Sequence, residues 1–367
     1  MKGLYIHIPF CIQKCRYCDF VSYTGMETEA HNYISSVIEE MEEYRGEEID
    51  TVFIGGGTPT ILPYQETDRL LKACFERFKI SSDCEFTAEA NPGTLDTDKV
   101  RALKDGGVNR ISVGVQSFND GELKKIGRIH DAKTAYNTIW KLSEAGFSNI
   151  NIDLMTSLPN QTVKSLAATL NTAMKLPITH ISAYSLIIED GTPIAKEYHD
   201  GELTLPDEDA DREMYEYTIK TLAKNGFNQY EISNFAKQGC ECRHNIKYWQ
   251  CREYIGLGAA AHSYLNGKRF YNTSELSEYM SGNRHTNDII TLTEQDKISE
   301  FMIMGLRMNI GISENEFKKR FKKSIDDVYK AEIEKFIEYG FLVRNNGFIR
   351  FSDKGRNVSN SILCEFV

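Results

Sequence analysis

The sequence predicts an α/β fold, in which a partial (βα)6 barrel of the TIM-like type precedes a smaller winged-helix-like α+β module. Three observations lead to this prediction. Six strand-like runs in the first 190 residues or so are each followed by a turn or helix-like stretch with Gly or Pro stops. Polar and glycine residues cluster directly after these strands, where barrel enzymes place their sites. From residue 293 onward, helices and a hairpin replace the alternation.

The first half of the chain alternates strands with helices, which implies a parallel sheet. Strands are predicted at 4–9, 51–54, 84–90, 110–117, 149–155 and 180–187. Helices are predicted at about 27–44, 65–78, 97–105 (capped by Asp96 and ended at Gly106), 132–145 and 162–176. An open doubly wound sheet would place its crevice at the same strand ends. The periodicity therefore leaves the choice between barrel and open sheet undecided.

The length of 367 residues exceeds the size at which one core stops growing, so we expect several units. The barrel is assigned to 1–200, and a less regular extension to 201–290, with a helix near 207–224 and a strand at 229–233. A polar linker is expected around 281–291. The C-terminal module, 291–367, is expected to contain helices at about 293–308, from 313 onward and at 325–339. Its final hairpin turns at Asn-Asn-Gly.

Composition excludes several classes of protein. Charged residues at 26% and aromatic residues at 11% exclude a disordered chain. No apolar run reaches the roughly 18 residues of a membrane span, and the first residues do not resemble a signal peptide. We therefore expect a cytoplasmic protein with no integral membrane segment. The net charge of −10 argues against a nucleic-acid partner, and the KKRFKK run at 318–323 is interpreted as a solvated helix face.

The spacing Cys11-x3-Cys15-x2-Cys18 is the most informative feature of the chain. Three thiolates from one loop can hold three corners of a metal centre. A structural zinc ion needs four ligands, and no second cysteine pair lies at a usual spacing. A [4Fe–4S] cluster is better suited to thiolates, and three of them leave one iron open. This pattern predicts a reactive cofactor site beside the glycine-rich loop 55–57.

The cysteine loop and several other runs resemble one protein family. The runs are YIHIPFCIQKCRYCDF (5–20), GGGTPT (55–60), EANPGT (89–94), GVQSF (114–118), GRIH (127–130), DLMTSLPNQT (153–162) and YEISNFAKQGCECRHNIKYW (230–249). They resemble the radical S-adenosylmethionine (SAM) superfamily and, within it, the haem chaperones of the HemW type, which are related to oxygen-independent coproporphyrinogen III oxidase. The resemblance covers nearly the whole chain. It implies a [4Fe–4S] cluster on the three cysteines, bound SAM, and one haem for transfer to an unidentified acceptor protein.

The same resemblance implies a set of SAM-binding residues. Glycines after the second strand let the backbone approach the methionine moiety, and two carboxylates accept from its ammonium or from ribose hydroxyls. An arginine pairs with its carboxylate, and a tyrosine packs against adenine. The matching positions are Tyr5, Tyr17, Gly56, Gly57, Thr58, Glu89, Gln116, Arg128 and Asp153.

A second stretch, 242–249, resembles the HNxxYW motif of the haem chaperones. The implied haem residues are Cys242, His244, Tyr248 and Trp249: histidine as an axial ligand, and the two rings as flat apolar faces. Arg243 and Lys247 are expected to meet propionates. Without the resemblance, a hydrogen-bonded structural role is the better interpretation of His244. Cys240 and His262 remain rival ligands.

Two departures distinguish this sequence from the true oxidases of the family. Phe20 stands where they carry a fourth cysteine, and only four residues precede Tyr5. Both differences favour a haem chaperone over the alternative, a radical SAM oxidase of coproporphyrinogen III or a related porphyrin. Cleavage of SAM stays an open question, as does peripheral contact with membrane haem proteins. A zinc protein with a regulatory winged helix is the third and least favoured interpretation.

Overall fold

The computed structural model describes residues 1–284 and 288–367. Its strands are β1 Lys2–Ile8, β2 Phe10–Cys11, β3 Tyr23–Thr24, β4 Glu48–Gly56, β5 Lys79–Ala90, β6 Arg110–Gln116, β7 Asn149–Thr156, β8 His180–Ser185, β9 Asn228–Gln229, β10 Asn234–Ala236, β11 Tyr254–Leu257, β12 His262–Leu265, β13 Lys268–Tyr271, β14 Ile290–Thr291, β15 Ile312–Ser313, β16 Leu342–Asn345 and β17 Phe348–Phe351. Its α-helices are α1 Ala30–Met41, α2 Tyr64–Arg77, α3 Thr97–Asp105, α4 Asp120–Lys125, α5 Ala132–Glu144, α6 Val163–Ala173, α7 Pro193–His199, α8 Glu208–Lys224, α9 Arg243–Trp249, α10 Leu276–Met280, α11 Glu294–Leu306, α12 Glu314–Phe321, α13 Asp326–Glu338, α14 Asp353–Arg356 and α15 Ser359–Leu363.

One large sheet organises the first 291 residues, in the order β14-β13-β12-β11-β1-β4-β5-β6-β7-β8-β10-β9. The six central strands β1 and β4–β8 are parallel neighbours. Strand β11 pairs parallel to β1, whereas the outer strands on both edges are antiparallel. The six predicted strands are thus confirmed, and their parallel order is that of the predicted partial barrel.

The central strands alternate between an apolar outer face and a mainly polar inner face, on which Phe53 is an exception. On β5 and β6, Phe86 and Ile111 are buried in the same apolar cluster as Leu70 of α2 and Ile139 of α5. Because side chains alternate along a strand, the intervening residues point to the inner face of the partial barrel. These inner residues include Tyr5, His7, Thr51, Glu85, Thr87, Glu89, Arg110, Ser112, Asn151, Asp153, His180 and Tyr184. The inner face is therefore a polar surface built from six strands.

The predicted cap of α3 is confirmed, and α6 begins with a cap that was not predicted. Asp96 accepts a hydrogen bond from the Lys99 backbone at 2.8 Å and begins α3, and Thr162 begins α6 with a capping box. The predicted first helix is shorter than expected, because 3-10 turns occupy 27–29 and 42–44. These caps satisfy backbone N–H groups that the first helical turn leaves unpaired.

The strand predicted at 229–233 is wrong. The chain pairs with the large sheet at β9 and β10 and bends between them, where Glu231 forms an isolated bridge with Met308. The cause is the buried carboxylate of Glu231, which accepts hydrogen bonds from the Ser233 backbone at 3.0 Å and from the Asn234 side chain at 2.5 Å. A side chain that bonds its own neighbouring backbone competes with sheet pairing.

Residues 201–290 extend the large sheet instead of packing apart from it. Strands β9 and β10 lie on one edge and β11–β13 on the other. Helix α9, in a stretch where we predicted no helix, contacts β4. Part of the linker predicted at 281–291, namely 285–287, lies outside the described residues.

The C-terminal residues form a separate apolar core. Helices α11–α13 pack with the small sheet β15-β17-β16, and their buried side chains include Ile298, Phe317, Ile333 and Ile349. The predicted hairpin turns at Asn346 and Gly347, both with positive φ, as a two-residue turn requires. This arrangement is the predicted winged-helix-like module. Across 1–284 and 288–367, we find no helix that combines the length and apolar character of a membrane span.

Candidate functional site

The three-cysteine loop is held at the carboxyl ends of the central strands. Strands β2 and β3 pair parallel to each other and join the two ends of the loop. The backbone N–H groups of Gly57 and Thr58 donate to the carbonyls of Ile8 and Phe10 at 2.9 and 2.8 Å. The Arg16 backbone donates to the Ile126 carbonyl at 3.1 Å, beside α4. The glycine-rich loop and α4 thus fix the cysteine loop over the barrel mouth.

Close approach explains the glycines after β4. A Cβ atom on Gly57 would lie 2.7 Å from the carbonyl oxygen of Phe10, and Gly56 has a φ of +109°. Side chains at these positions would push the cysteine loop away from the strand ends, since neither the space nor the conformation suits a larger residue.

One cavity of about 140 Å³ collects almost all the predicted residues. All three cysteines line it. With them are the predicted SAM residues Tyr17, Gly56, Gly57, Thr58, Glu89, Gln116, Arg128 and Asp153. Tyr5 is the exception: its hydroxyl donates to Nδ1 of His7 at 2.9 Å, and its ring lines a neighbouring cleft. Residues of the cysteine loop, the ends of β4–β8 and the loops that follow them therefore meet at one point.

The donor set fits a thiolate-bound cluster. Arg128 Nη1 donates to Cys15 Sγ at 3.3 Å, and Thr58 Oγ1 lies 3.6 Å from Cys11 Sγ. Within the residues that the structure describes, no group of three His, Cys, Asp or Glu side chains converges as a single metal ion would require. A zinc ion needs sulfurs about 2.3 Å from one centre, whereas a cluster spreads its thiolates over separate irons. Burial raises the pKa of Cys18 to about 11, so iron binding would displace its proton.

Two carboxylates in the cavity favour a positively charged ligand. Glu89 accepts from the Gly56 backbone at 3.1 Å, and Asp153 accepts from Asn151 Nδ2 at 2.8 Å. Burial, followed by the nearby Asp153, raises the pKa of Glu89 to about 8. Burial also raises the pKa of Asp153. A cationic ligand between them would favour both ionised forms, and SAM carries an ammonium and a sulfonium.

Arg128 is held in place by Asn91, which was not among the predicted site residues. Its Nη2 donates to Asn91 Oδ1 and to the Gly114 carbonyl, both at 2.6 Å. Asn91 Nδ2 in turn donates to Thr58 Oγ1 at 2.8 Å. Gln116 has a φ of +66°, and its side chain accepts from the Tyr184 hydroxyl at 3.2 Å. Such backbone strain outside glycine is typical of functional positions.

Several residues that line the cavity were not among the predicted site residues, although the sequence contained patterns that could have identified them. Asn91 and Gly114 belong to the EANPGT and GVQSF runs quoted above. Ser112 shares the inner face of β6 with Gln116 by simple alternation. Tyr184 follows the same rule on β8. Counting inward positions on each strand would have found them.

The HNxxYW stretch lies at the opposite end of the partial barrel, where α9 closes its floor. Glu85 of β5 accepts from the backbone N–H groups of Arg243 and His244, both at 2.9 Å. This carboxylate caps the helix from a distant strand. Cys242 is fully buried beside Glu85.

His244 is buried with both ring nitrogens occupied. Nδ1 hydrogen bonds with Thr51 Oγ1 at 3.0 Å, and Nε2 with the Tyr248 hydroxyl at 2.8 Å. Burial and the nearby Lys247 lower its pKa to about 3. In this arrangement the ring offers no free nitrogen to a ligand.

The two aromatic residues of the motif differ. Tyr248 lines the same neighbouring cleft as Tyr5 and meets the edge of Tyr254, with ring centroids 4.6 Å apart. Trp249 instead lies under the Arg307 guanidinium at 5.1 Å, next to α11 of the C-terminal module. Of the four predicted haem residues, the structure brings Tyr248 to a described cavity, and it keeps Cys242 and His244 buried.

Comparison with known proteins adds to this geometry. The radical SAM superfamily profile matches residues 5–173, and the HemN C-terminal domain matches 292–358. The chain is 41% identical to the heme chaperone HemW of Lactococcus lactis, across 100% of this chain and 97% of that protein. It is 37% identical to heme chaperone HemW of Bacillus subtilis (100% and 99% covered) and 34% identical to that of Escherichia coli (100% and 98%).

A solved structure shows the same fold. Coproporphyrinogen III oxidase (HemN) from Escherichia coli, described as a radical SAM enzyme, superposes with a TM-score of 0.85. The match covers 99% of this chain and 89% of that chain at 24% identity. At this identity, the likeness extends to the fold alone.

Proposed function

The chain belongs to the HemW family of radical SAM proteins, and from this premise we propose that it is a haem chaperone. It binds a [4Fe–4S] cluster and SAM at the barrel mouth, holds one haem, and passes the haem to an acceptor protein. The observation that carries this proposal is the full-length similarity, at 34–41% identity, to three proteins named heme chaperone HemW.

The residues of the mouth support the cofactor part of the proposal. Cys11, Cys15 and Cys18 would hold three irons, and the cavity beside them would take SAM. Glu89 and Asp153 would receive its positive charge, and Arg128 its carboxylate. When bound, the cluster and SAM supply one-electron redox chemistry; the protein orients the ligands and limits the access of water.

The alternative function is oxidation of coproporphyrinogen III or a related porphyrin. The shared fold with the oxidase favours it. The side chain at position 20 argues against it, because the oxidases that this chain resembles carry a fourth cysteine there. Phe20 is instead a largely exposed ring, 64% accessible, at the rim of the cysteine-lined cavity.

One preparation separates the two functions. The protein is reconstituted anaerobically with iron and sulfide, titrated with haem, desalted, and assayed for coproporphyrinogen III turnover. We expect about four irons per chain, one retained haem and no turnover. Turnover without retained haem would overturn the chaperone proposal in favour of the oxidase.

A further inference from the structure

Three histidines lie near the mouth and the floor of the barrel, and they differ in what their ring nitrogens contact. His7 is buried between the Tyr5 hydroxyl and the Val21 carbonyl, each 2.9 Å away. His244 is equally saturated by Thr51 and Tyr248. His262 of β12 is exposed and, within the described parts of the chain, neither of its ring nitrogens has a hydrogen-bond partner. Among these three, His262 is the imidazole available to a ligand.

His262 lines a cleft of about 490 Å³, which we name the tyrosine cleft. This size is within the range of small-molecule sites. The cleft lies between the cysteine loop, β1, β11–β13 and α11. Its walls are Tyr5, His7, Asp19, Phe20, Val21, Tyr248, Cys251, Arg252, Tyr254, Ala260, His262, Tyr264, Arg269 and Met304. Flat aromatic walls with one free imidazole are suited to a planar, apolar, iron-containing ring.

We propose that the haem lies in the tyrosine cleft with His262 as an axial ligand of its iron, in place of His244. This assignment rests on the proposed haem binding and specifies where that binding occurs.

The surroundings of His262 favour ligation. Its ring stacks on Tyr271 with centroids 4.9 Å apart and an interplanar angle of 22°, which holds the imidazole plane.

Phe20 connects this cleft to the cofactor site. Its exposed ring lines both the tyrosine cleft and the cysteine-lined cavity. A haem in the cleft would therefore pack against the loop that carries the three cluster cysteines. Binding at one site has a direct physical route to influence the other.

A second cavity of about 540 Å³ shares Cys251, Arg252 and Tyr264 with the tyrosine cleft and adds positive charge. Its three carboxylates are already engaged. Glu300 pairs with Arg269 at 2.7 Å and Glu294 with Lys323 at 2.6 Å, and Glu253 accepts from the Asn266 backbone N–H at 2.6 Å. Lys297 and Lys322 also line it. Within the described residues, neither ammonium has a carboxylate partner, which leaves two cations for the two propionates of haem.

The test compares His262→Ala with His244→Gln and with His199→Ala, an exposed histidine on α7 that serves as a control. Each protein is titrated with haemin, and the position of the Soret band and the affinity are measured. Circular dichroism verifies that each variant is folded. We expect His262→Ala to shift the Soret band and to weaken binding about tenfold or more, with the band restored by free imidazole. A purely structural defect would not respond to imidazole.

Different results would overturn the assignment of His262 and the chaperone proposal. His262→Ala with a wild-type spectrum and affinity would overturn the assignment and leave the chaperone proposal standing. Loss of the band in folded His244→Gln alone would return the ligand to the HNxxYW motif. Absence of haem binding by the wild-type protein would overturn the chaperone proposal and the assignment together.

Discussion

The mouth and the floor of the partial barrel carry the same kinds of polar side chain, but at the floor Glu85, His180 and His244 are each hydrogen-bonded within the chain. At the floor, Glu85 receives two backbone N–H groups, and His244 has both nitrogens bonded. His180 donates to Asn151 Oδ1 at 2.6 Å and accepts from the Tyr230 hydroxyl at 2.9 Å. At the mouth, Glu89 is buried with one backbone donor and a pKa near 8.

This difference distinguishes a structural network from a binding site. A buried polar group costs free energy unless its partners are present. Where the partners lie within the chain, as at the floor, the group stabilises the fold. Where they are missing, as at the mouth, the group is available for a ligand that supplies them. The HNxxYW stretch belongs to a structural network, although its sequence resembles a binding motif.

The largest effect is expected at the mouth, from Cys15→Ala. Removal of one of three thiolates should abolish cluster binding, since a second iron would lose its protein ligand. After reconstitution, iron content should fall from about four per chain to near zero, with the fold retained by circular dichroism. Cys364→Ala, an exposed cysteine far along the chain, is the matched control. Full iron content in Cys15→Ala would contradict the assignment of the loop.

Substitutions at the floor should change the free energy of unfolding and leave the content of bound cofactor unchanged. Glu85→Ala leaves two N–H groups of α9 without an acceptor and removes a negative charge near the buried Arg110, and should lower the free energy of unfolding by about 3–5 kcal/mol. Asp83→Ala, on the exposed part of the same strand, should lower the free energy of unfolding much less, because its charge is screened by solvent. Urea denaturation measures both. Equal small effects would show that the floor network is not structural.

Because of Glu89 at the mouth, the stability of the ligand-free protein should fall as the pH rises. The folded-state pKa of Glu89, about 8, is above its unfolded value of 4.5. Between these values the unfolded chain loses a proton that the folded chain keeps, so stability should fall as pH rises from about 5 to 8. The expected loss is about 2–4 kcal/mol in the ligand-free protein.

Glu89→Gln should flatten this dependence, and SAM should stabilise the wild-type protein more at pH 8 than at pH 6. Thermal or urea unfolding across the pH range, with and without SAM, measures both. Asp98→Asn on α3, an exposed site, should leave the slope unchanged. If the stability of Glu89→Gln depended on pH in the same way as that of the wild-type protein, another group would be responsible.

The smallest effect is expected where α9 meets the C-terminal module. Trp249 Nε1 is buried and has no hydrogen-bond partner among the residues described, so Trp249→Phe removes an unsatisfied donor and keeps a ring for Arg307. Stability should change by less than about 1 kcal/mol, and the Soret band should not move. Trp249→Ala should cost more. A lost Soret band in folded Trp249→Phe would restore Trp249 as a haem contact.

The sequence by itself determined the alternation of strands and helices, the cysteine loop, and most of the mouth. These features are local: a period of two or 3.6 residues, a cap, or three thiols within eight positions. The motifs at strand ends meet because parallel strands share one carboxyl edge. Tyr5 follows the same rule, yet it faces the neighbouring cleft.

Only the tertiary structure decided what the histidines do. His244 is capped by Glu85, 159 residues away, and bonded to Thr51, 193 residues away. Within the described residues, no such partner reaches the ring nitrogens of His262 on β12. The strand predicted at 229–233 was wrong because the carboxylate of Glu231 is turned inward to its own backbone. Burial and hydrogen-bond partners arise from contacts between distant segments, and no local pattern of residue types encodes them.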